Sequence, residues 1–560
     1  MTELRFPVPA LPPGTSNLVL TGFSGTGKSS AGRLAADLLG MPFFDLDEIA
    51  ERRQGRPLAE VFLSGAEAGF RELEAELLGA AARLSGAVIA TGAGAIRHSQ
   101  FWSLAQPAVT LTLTAPVDEI ARRLGDAKER PLLSPDPPRL IARLLAERES
   151  AYSNAGPPLP TCGRSLAQVA AEIAAAYRGQ ARPAALEVSG PQGAYPVLVG
   201  EGALDRLADF LLSHRSREAR VVVAFDPAVP AAAEVARTLE EAGREAWAVA
   251  VPSGEAAKRI EVVMRLWDRF QLIGLDRGDV VVAIGGGAVL DAVGFACATW
   301  GRGIPWVTVP TTLLAMVDAS LGGKVAIDHP DAKNAIGAFH HPLGVICDLS
   351  RLAGLLPSVA RDGLAEVVKC GALASPLLLD RLLLDGAGAD SSPAKVGWLI
   401  EQAARIKAAY VAADPEDRGP RQSLNLGHTY AHALEVASGY RISHGRAVAV
   451  GLVAAAGLGL QLGLTPPGLG DTLEAILIAE GLLGQLPRLD PQLVRGALRT
   501  DKKRRGGEAA FIVPVGDGVA LLHGLELEAA LSPLWPRLAG PGPGGGGSTP
   551  RQALPATVVR

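Results

Sequence analysis

The chain has only four cysteines, Cys162, Cys297, Cys347 and Cys370, and no two of them form a CxxC pair. That scarcity argues against a disulfide framework and fits reduced, mostly buried thiols. Positive charge is also in short supply. Fifty-four Lys and Arg face 58 Asp and Glu, the net charge is -4, and no long basic run occurs. Neither nucleic acid nor an anionic membrane is therefore expected as a partner. Long apolar runs are missing too. The most apolar stretch, 447–460, is rich in Ala and Gly and too short to cross a bilayer comfortably, so it reads as a buried core helix. No apolar segment precedes the first Gly-rich loop; Arg5 is followed by Pro7, Pro9, Pro12 and Pro13. A secretory signal is not expected, and a cytoplasmic location is.

What is present is enough length, 560 residues, for three or four domain-sized units. Residues 17–177 alternate short apolar runs (18–21, 42–45, 87–91, 108–113) with helical patterns (71–84, 165–177), which predicts a parallel α/β sheet. Gly, Arg and Pro at 178–183 mark a boundary. Paired strands are expected at 186–188 and 195–199. Alternation returns from 221 to 309, with buried strands at 221–225 and 280–284. Beyond about 356 the strand signal fades and amphipathic helices such as 396–412 and 427–437 take over. The expected division is 1–177, a linker 178–185, an α/β domain 186–355, a helical domain 356–537, and a disordered Gly/Pro-rich tail 538–560. The two halves are expected to fold independently.

Two sites emerge from the residues. Gly22-Phe-Ser-Gly-Thr-Gly27-Lys28-Ser29 follows a strand and opens a helix, the context a phosphate-binding loop requires. Gly25, Gly27, Ser29 and Ser30 would hold nucleotide phosphates. Lys28 would reach the terminal ones, and the Ser29 hydroxyl suits Mg2+. Asp45 and Asp47, two apart at a strand end, can point to one side. Further on, Gly285-Gly286-Gly287 lies between a buried strand and a helix, as a pyrophosphate site would. His428 and His432 are four apart on a helical pattern, and His444 lies close behind. Glu366 and Lys369 are three apart. A carboxylate with two imidazoles suits catalytic Zn2+ or Co2+.

The first 177 residues resemble shikimate kinases. The likeness rests on the phosphate loop, Phe44-Asp45-Leu46-Asp47, Phe70-Arg71 with Glu74, Thr91-Gly92-Ala93-Gly94, Arg130-Pro131-Leu132-Leu133, and Arg148 four before Tyr152. The resemblance implies a P-loop kinase domain using ATP and Mg2+ on shikimate. In it Asp45 assists the metal and Asp47 orients the reacting hydroxyl. Arg71 and Arg148 clamp the substrate carboxylate, Gly92, Ala93 and Gly94 press on the substrate, and Arg130 closes over the phosphates as part of a lid.

From about 186 to 535 the chain is similar to 3-dehydroquinate synthases. The matching motifs are Pro252-Ser-Gly-Glu255 with Lys258, the Gly285 loop, Arg302-Gly303, and Val309-Pro-Thr-Thr312. They continue through Asp318-Ala-Ser-Leu-Gly-Gly-Lys324, Lys333-Asn334, Gly363-Leu-Ala-Glu366-Val-Val-Lys369, Arg421-Gln-Ser-Leu-Asn425-Leu-Gly-His428, His444 and Asp501-Lys502-Lys503. This resemblance implies a Rossmann-like NAD-binding domain, a mostly helical metal-binding domain and a homodimer. The activity it implies is NAD-dependent cyclisation of a seven-carbon keto acid phosphate, 3-deoxy-D-arabino-heptulosonate 7-phosphate, with phosphate release. By position, Glu366, His428 and His444 bind the metal, and His432 contacts substrate. Lys324, Asn334, Lys369, Lys407, Arg421, Asn425 and Lys502 line the substrate pocket, with Lys503 an alternative to Lys502. Asp318 sits between substrate and nicotinamide. Asp226, Glu255, Lys258, Gly287, Asp291, Thr311, Thr312, Lys324 and Lys333 hold NAD+, and Arg302 reaches the neighbouring subunit's site.

Four positions depart from these patterns. Ala93 replaces the middle of three glycines, at a cost of about 1 kcal/mol if a positive φ is needed there. Leu290, Leu355 and Arg446 stand where Gly, Thr and an acid are common. Read without the resemblance, the second half also admits a metal-dependent alcohol dehydrogenase or another sugar-phosphate cyclase, and the first half an inactive kinase-like module. The basic set Lys324, Lys369, Lys407 and Arg421 favours a phosphorylated acid.

Overall fold

The computed structural model describes residues 1–125, 136–183, 185–191, 193–230, 232–330, 332–386, 392–504 and 510–538. Arg130 and the tail beyond 538, both singled out from sequence, lie outside them.

The first unit is a five-stranded parallel sheet in the order Phe43–Asp45, Val88–Ala90, Leu18–Thr21, Val109–Thr114, Pro158–Pro160. Every residue of Leu18–Thr21 is buried, which suits an apolar run at the sheet centre covered on both faces. Its carboxyl end opens into the phosphate-type loop and helix Lys28–Leu39.

The second unit is a seven-stranded sheet in the order Ala246–Ala250, Val221–Phe225, Val280–Gly285, Trp306–Pro310, Val345–Asp348, Gly193–Gly200, Leu186–Gly190. All its pairs are parallel except the last, an antiparallel hairpin. A separate antiparallel ribbon pairs Lys324–His329 with Ala332–Phe339. The third unit is helical: Pro357–Ala374, Pro376–Asp385, Pro393–Ala413, His428–Ala437, His444–Gln461, Leu469–Ala479 and Pro491–Arg504. Four of these helices open on Pro at the first helical position, where its missing N–H costs nothing. The chain is thus mixed α/β with a Rossmann-like middle and a helical end.

Two features depart from the division read from sequence. Strand structure does not end near 356, because Phe511–Pro514 and Val519–His523 form a short hairpin. The first strand, Thr2–Phe6, does not join the sheet that follows it. It pairs antiparallel with Val519–His523, from Thr2 against His523 to Phe6 against Val519. The chain therefore starts inside its last unit, and the first α/β unit sits between that strand and the rest. No local pattern could reveal this, since the pairing spans almost the whole chain and only Leu4 and Phe6 are apolar.

The units also share a core. One contiguous apolar cluster runs from Phe44, Phe70 and Leu77 of the first unit to Leu377, Leu378 and Trp398 of the helical one, and on to Val513 and Leu521. The expectation of two independent halves does not describe such packing.

Removing residues 1–6 strips Val519–His523 of a neighbour. The truncated chain is expected to lose about 2 kcal/mol or more of stability, at about 1 kcal/mol per net backbone hydrogen bond. Thermal denaturation beside the full chain measures this, and an unchanged midpoint would show that the strand adds nothing.

Candidate functional site

In the first unit the Gly-rich loop is shaped by its neighbours. Gly22 has φ 134°, and a Cβ there would lie 2.3 Å from the Leu113 carbonyl oxygen, so only glycine fits. Gly25 and Gly27 also have positive φ. The Lys28 ammonium donates to the Gly22 and Phe23 carbonyls at 2.8 and 3.0 Å, folding over the loop that would cradle phosphates. Ser29 and Ser30 lie in the first turn of helix Lys28–Leu39. Asp45 caps helix Leu46–Gln54, accepting from the amides of Asp47 and Glu48 at 3.0 and 3.3 Å.

Asp47 and Glu74 meet across Gly92; a Cβ at Gly92 would lie 2.7 Å from an oxygen of each. Burial, then the Asp45 carboxylate, raises Asp47 to about 7 against the pull of Lys28. Arg71 is held by Glu74 at 2.7 Å and Glu67 at 3.0 Å, and its guanidinium lies against Gly94. Arg148 and the Tyr152 hydroxyl both donate to the Ala93 carbonyl, at 3.1 and 2.8 Å. Asp47, Arg71, Gly92, Ala93, Gly94 and Arg148 are thus brought together at the carboxyl end of the sheet. Among the described residues, positive φ outside glycine occurs only at Arg302, Asn334, Asp417 and Tyr440. Ala93 carries no such strain, so the conditional cost of that departure does not arise.

In the second unit the loops after the parallel strands gather the expected cofactor residues, as open α/β sheets do at their carboxyl edge. Asp226 follows its strand directly and accepts from the Ser253 hydroxyl at 2.5 Å. Helix Gly287–Thr299 starts at the Gly-rich turn, and the Thr311 amide donates to the Gly285 carbonyl at 3.0 Å. The Thr312 hydroxyl accepts from the Ala315 amide at 3.2 Å. Lys258 is buried and pairs with Asp291 at 2.6 Å, and it also contacts Asn334. Burial raises Asp291 to about 6 against that ammonium. Lys333 pairs with Glu255 at 3.0 Å. Asn334, expected on the substrate side, contacts Lys258 of the expected cofactor group. Leu290 is in the apolar core. Arg446 points to the Gln485 carbonyl at 2.9 Å, and Leu355 lies beside helix Pro357–Ala374.

The third cluster lies where three helices cross. Gly445 lies against the backbone of Asp362, where a Cβ would come within 2.4 Å. Gly427 and Gly451 touch backbone to backbone. These approaches bring His444 and His428 onto Glu366. The ligand atoms of Glu366, His428 and His444 all lie within 4.8 Å of one another. Glu366 is 1 % exposed. Lys369 pairs with its Oε2, while Oε1 faces Nε2 of His428 at 3.4 Å and Nε2 of His444 at 3.6 Å, longer than hydrogen bonds. Neither carboxylate oxygen meets hydrogen-bond geometry, although both are buried. The unmet demand at Oε1, with one carboxylate and two imidazoles, fits a divalent transition metal with open positions.

Burial favours the neutral form of Glu366, but Lys369 and the two imidazoles hold it well below the usual carboxylate range. Burial and then Lys369 push His428 down to about 3, which leaves the neutral ligating form. His444 is carried up to about 10 because the Glu366 and Glu435 carboxylates outweigh its burial. His432 is exposed, and its ring lies 5.6 Å from that of His428, outside the cluster of three.

Asp318 lies in a π-helical turn, Ala315–Ala319, a distortion common at functional positions. Lys407 donates to its Oδ1 and its carbonyl, both at 2.6 Å. Burial opposes ionisation of Asp318, yet Lys407 and Lys369 lower its pKa. Lys324 pairs with Asp417 at 2.5 Å. Arg421 is fully buried and donates to the Gly322 and Pro415 carbonyls at 2.9 and 2.8 Å. Asn425 ends the turn Pro420–Asn425 just before His428. Lys502 lies in the last turn of helix Pro491–Arg504, and Arg302 is exposed at the turn Trp300–Arg302.

Sequence reasoning missed several partners. The Tyr195 hydroxyl accepts the Gly322 amide at 2.9 Å, and His98 meets Glu74 at 2.9 Å. Glu435 accepts from His444 Nδ1 at 3.2 Å. Glu435 was findable, since it is seven residues after His428 on one helix and so shares its face. A carboxylate behind a ligating imidazole fixes the ring. Glu435→Ala is therefore expected to weaken zinc binding about 10- to 100-fold, read by competition with a chromogenic chelator. Unchanged affinity would show that the contact does not orient His444.

The comparisons with known proteins follow this map. Residues 24–178 match the family model for shikimate kinase, 248–361 that for the 3-dehydroquinate synthase N-terminal part, and 363–504 that for its C-terminal part. The 3-dehydroquinate synthase of Nocardia farcinica is 41% identical over 335 residues, which are 59% of this chain and 89% of that protein. That of Symbiobacterium thermophilum is 41% identical over 329 residues, 58% of this chain and 92% of that protein. A solved 2-epi-5-epi-valiolone synthase from Streptomyces hygroscopicus, with NAD+ and Zn2+ bound, aligns at TM-score 0.56 and 25% identity over 64% of this chain and 99% of its own. The chain belongs to the 3-dehydroquinate synthase family and carries a shikimate kinase domain ahead of the synthase.

Proposed function

We propose that both domains are catalytically competent, so that one chain phosphorylates shikimate with ATP and cyclises 3-deoxy-D-arabino-heptulosonate 7-phosphate to 3-dehydroquinate. The observation that carries the synthase half is the group of buried Glu366 and His428 with half-buried His444, set beside a supply of ammonium and guanidinium groups at Lys369, Lys407 and Arg421.

Glu366, His428 and His444 would hold Zn2+ or Co2+, which when bound polarises the substrate oxygen. Asp226, Glu255, Lys258, Asp291, Thr311, Thr312 and Lys333 would hold NAD+, which when bound would supply reversible hydride transfer. The chain's own residues do the rest. Lys369 neutralises the buried Glu366. Lys407 holds Asp318 at the junction of the cofactor loops and the helical unit. Arg421, Lys324 and Asn425 offer donors for a carboxylate and a phosphate, which a simple alcohol substrate would not require. His432, exposed beside His428, has room to exchange a proton with bound substrate.

In the kinase half, ATP with Mg2+ supplies the phosphoryl group. The loop amides, Lys28 and Ser29 would hold the nucleotide, with Asp45 near the metal. Asp47, raised towards neutrality by burial, would take the hydroxyl proton, and Arg71 with Arg148 would clamp the shikimate carboxylate. The reading includes a homodimer in which Arg302, exposed here as that role requires, reaches the partner subunit. A cytoplasmic location fits the substrates; no described helix is long and apolar enough to cross a membrane.

Single substitutions separate the two activities. Glu366→Gln is expected to lower phosphate release from the keto acid phosphate by about two orders of magnitude or more, while ATP-dependent phosphorylation of shikimate continues. Asp47→Asn is expected to do the reverse. Cyclase activity surviving Glu366→Gln, or kinase activity surviving Asp47→Asn, would contradict the corresponding assignment.

A further inference from the structure

The helix Pro393–Ala413 presents different faces to the two enzymes. Its Lys407 donates to Asp318 in the synthase site. Trp398, Gln402 and Arg405 lie four and three residues apart, so they share another face, and that face rests on the kinase domain. The Trp398 indole donates to the Ser85 carbonyl at 2.8 Å, and the Gln402 amide donates to the same oxygen at 3.0 Å. Arg405 donates to the Arg83 carbonyl at 3.0 Å and twice to the Pro12 carbonyl, at 2.9 and 3.2 Å. All three side chains are buried there, and the Trp398 ring also lies 5.9 Å from that of Phe44.

The helix also packs on the synthase's own helix Pro357–Ala374 and strand Leu186–Gly190. The loop that accepts these bonds is fastened within its own domain. The Gly86 amide donates to the Thr15 carbonyl at 2.9 Å, Asn17 donates to the Leu84 carbonyl at 2.9 Å, and the Ala87 amide donates to Asn17 at 3.0 Å. The donors on the helix have no comparable support inside the synthase. Arg405 and Gln402 do meet each other at 3.4 Å, but their shorter bonds all end on kinase-domain or N-terminal carbonyls. A buried guanidinium without those acceptors would be costly, so they add a constraint on the helix beyond its packing within the synthase. Further ties flank it: Arg53 pairs with Asp380 at 2.8 Å, Arg381 donates to the Phe43 carbonyl at 3.1 Å, and Arg83 pairs with Asp517 at 2.7 Å.

We infer that the kinase domain serves the synthase as a structural wall, with Trp398, Gln402 and Arg405 as positioning residues that fix the helix carrying Lys407. The fusion then contributes to the geometry of the synthase site and is more than a device for joint expression. This rests on the role of Lys407 in the synthase reaction, so the test includes Lys407→Met as its own arm.

In the full chain, Arg405→Ala is expected to lower the synthase kcat about tenfold, because small displacements of a positioned group carry large rate costs. The KM for NAD+ is expected to change less than about twofold, since the cofactor residues lie in the other α/β unit, and shikimate phosphorylation is expected to stay at the wild-type rate. Arg405→Lys, which keeps a donor, is expected to recover part of the loss. Trp398→Phe keeps the ring, removes only the indole donor, and serves if Arg405→Ala folds poorly; it is expected to shift kcat in the same direction. Wild-type kcat in both Arg405→Ala and Trp398→Phe, alongside an inactive Lys407→Met, would overturn the inference. So would a parallel loss of both activities without rescue by lysine. An active Lys407→Met would instead overturn the reading of Lys407 on which the inference stands.

Discussion

A carboxylate cannot be buried alone. Glu366 is almost fully enclosed, and removing such a charge from water costs several kcal/mol unless cations replace the solvent. Much of the helical unit answers that demand. Helix Pro357–Ala374 carries Glu366 and its own countercharge Lys369 one turn on. Two further helices cross close enough, through contacts at Gly445, Gly427 and Gly451, to bring His444 and His428 to the free oxygen. Glu435 then steadies His444 from behind. The ammonium balances the carboxylate without closing the side that faces the imidazoles, which leaves that side for a metal.

The same logic extends outward. Lys369 also bears on Asp318, which Lys407 pins from helix Pro393–Ala413. That helix in turn rests on the kinase domain through buried donors. The chain's first strand closes the sheet whose hairpin packs on the metal-bearing helix, where the Tyr430 and Phe511 rings meet and the Thr429 hydroxyl donates to the Ala510 carbonyl. The kinase domain is therefore packed against the synthase on one side and tethered through it on the other, and the two catalytic centres share one continuous core.

Parts of this were legible in the sequence for clear physical reasons. The phosphate loop is contiguous, and its chemistry requires glycine at fixed spacing. The four-residue spacing of His428 and His432 draws attention to the right helix, but the second imidazole of the cluster comes from His444 on the following helix. Long-range contacts were not legible. Nothing in Thr2–Phe6 specifies a partner strand more than five hundred residues away, and Trp398, Gln402 and Arg405 read as ordinary residues of an amphipathic helix. The same limit applies to Ala93. A missing glycine suggests strain only if the backbone needs positive φ, and the structure has none there. Asn334, placed on the substrate side by the resemblance, also contacts Lys258, a long-range contact that the sequence could not show.

The central claim is that Glu366, His428 and His444 form the metal centre of a working synthase. The most direct measurement strips the purified full-length chain of transition metal with a zinc-selective chelator in excess Mg2+, then titrates zinc back while phosphate release from the keto acid phosphate is followed with NAD+ present. The account predicts that release stops on stripping and returns in proportion to zinc, saturating at one ion per chain, while shikimate phosphorylation continues throughout. Phosphate release that persists in the stripped protein, or zinc uptake that saturates without restoring it, would contradict the account.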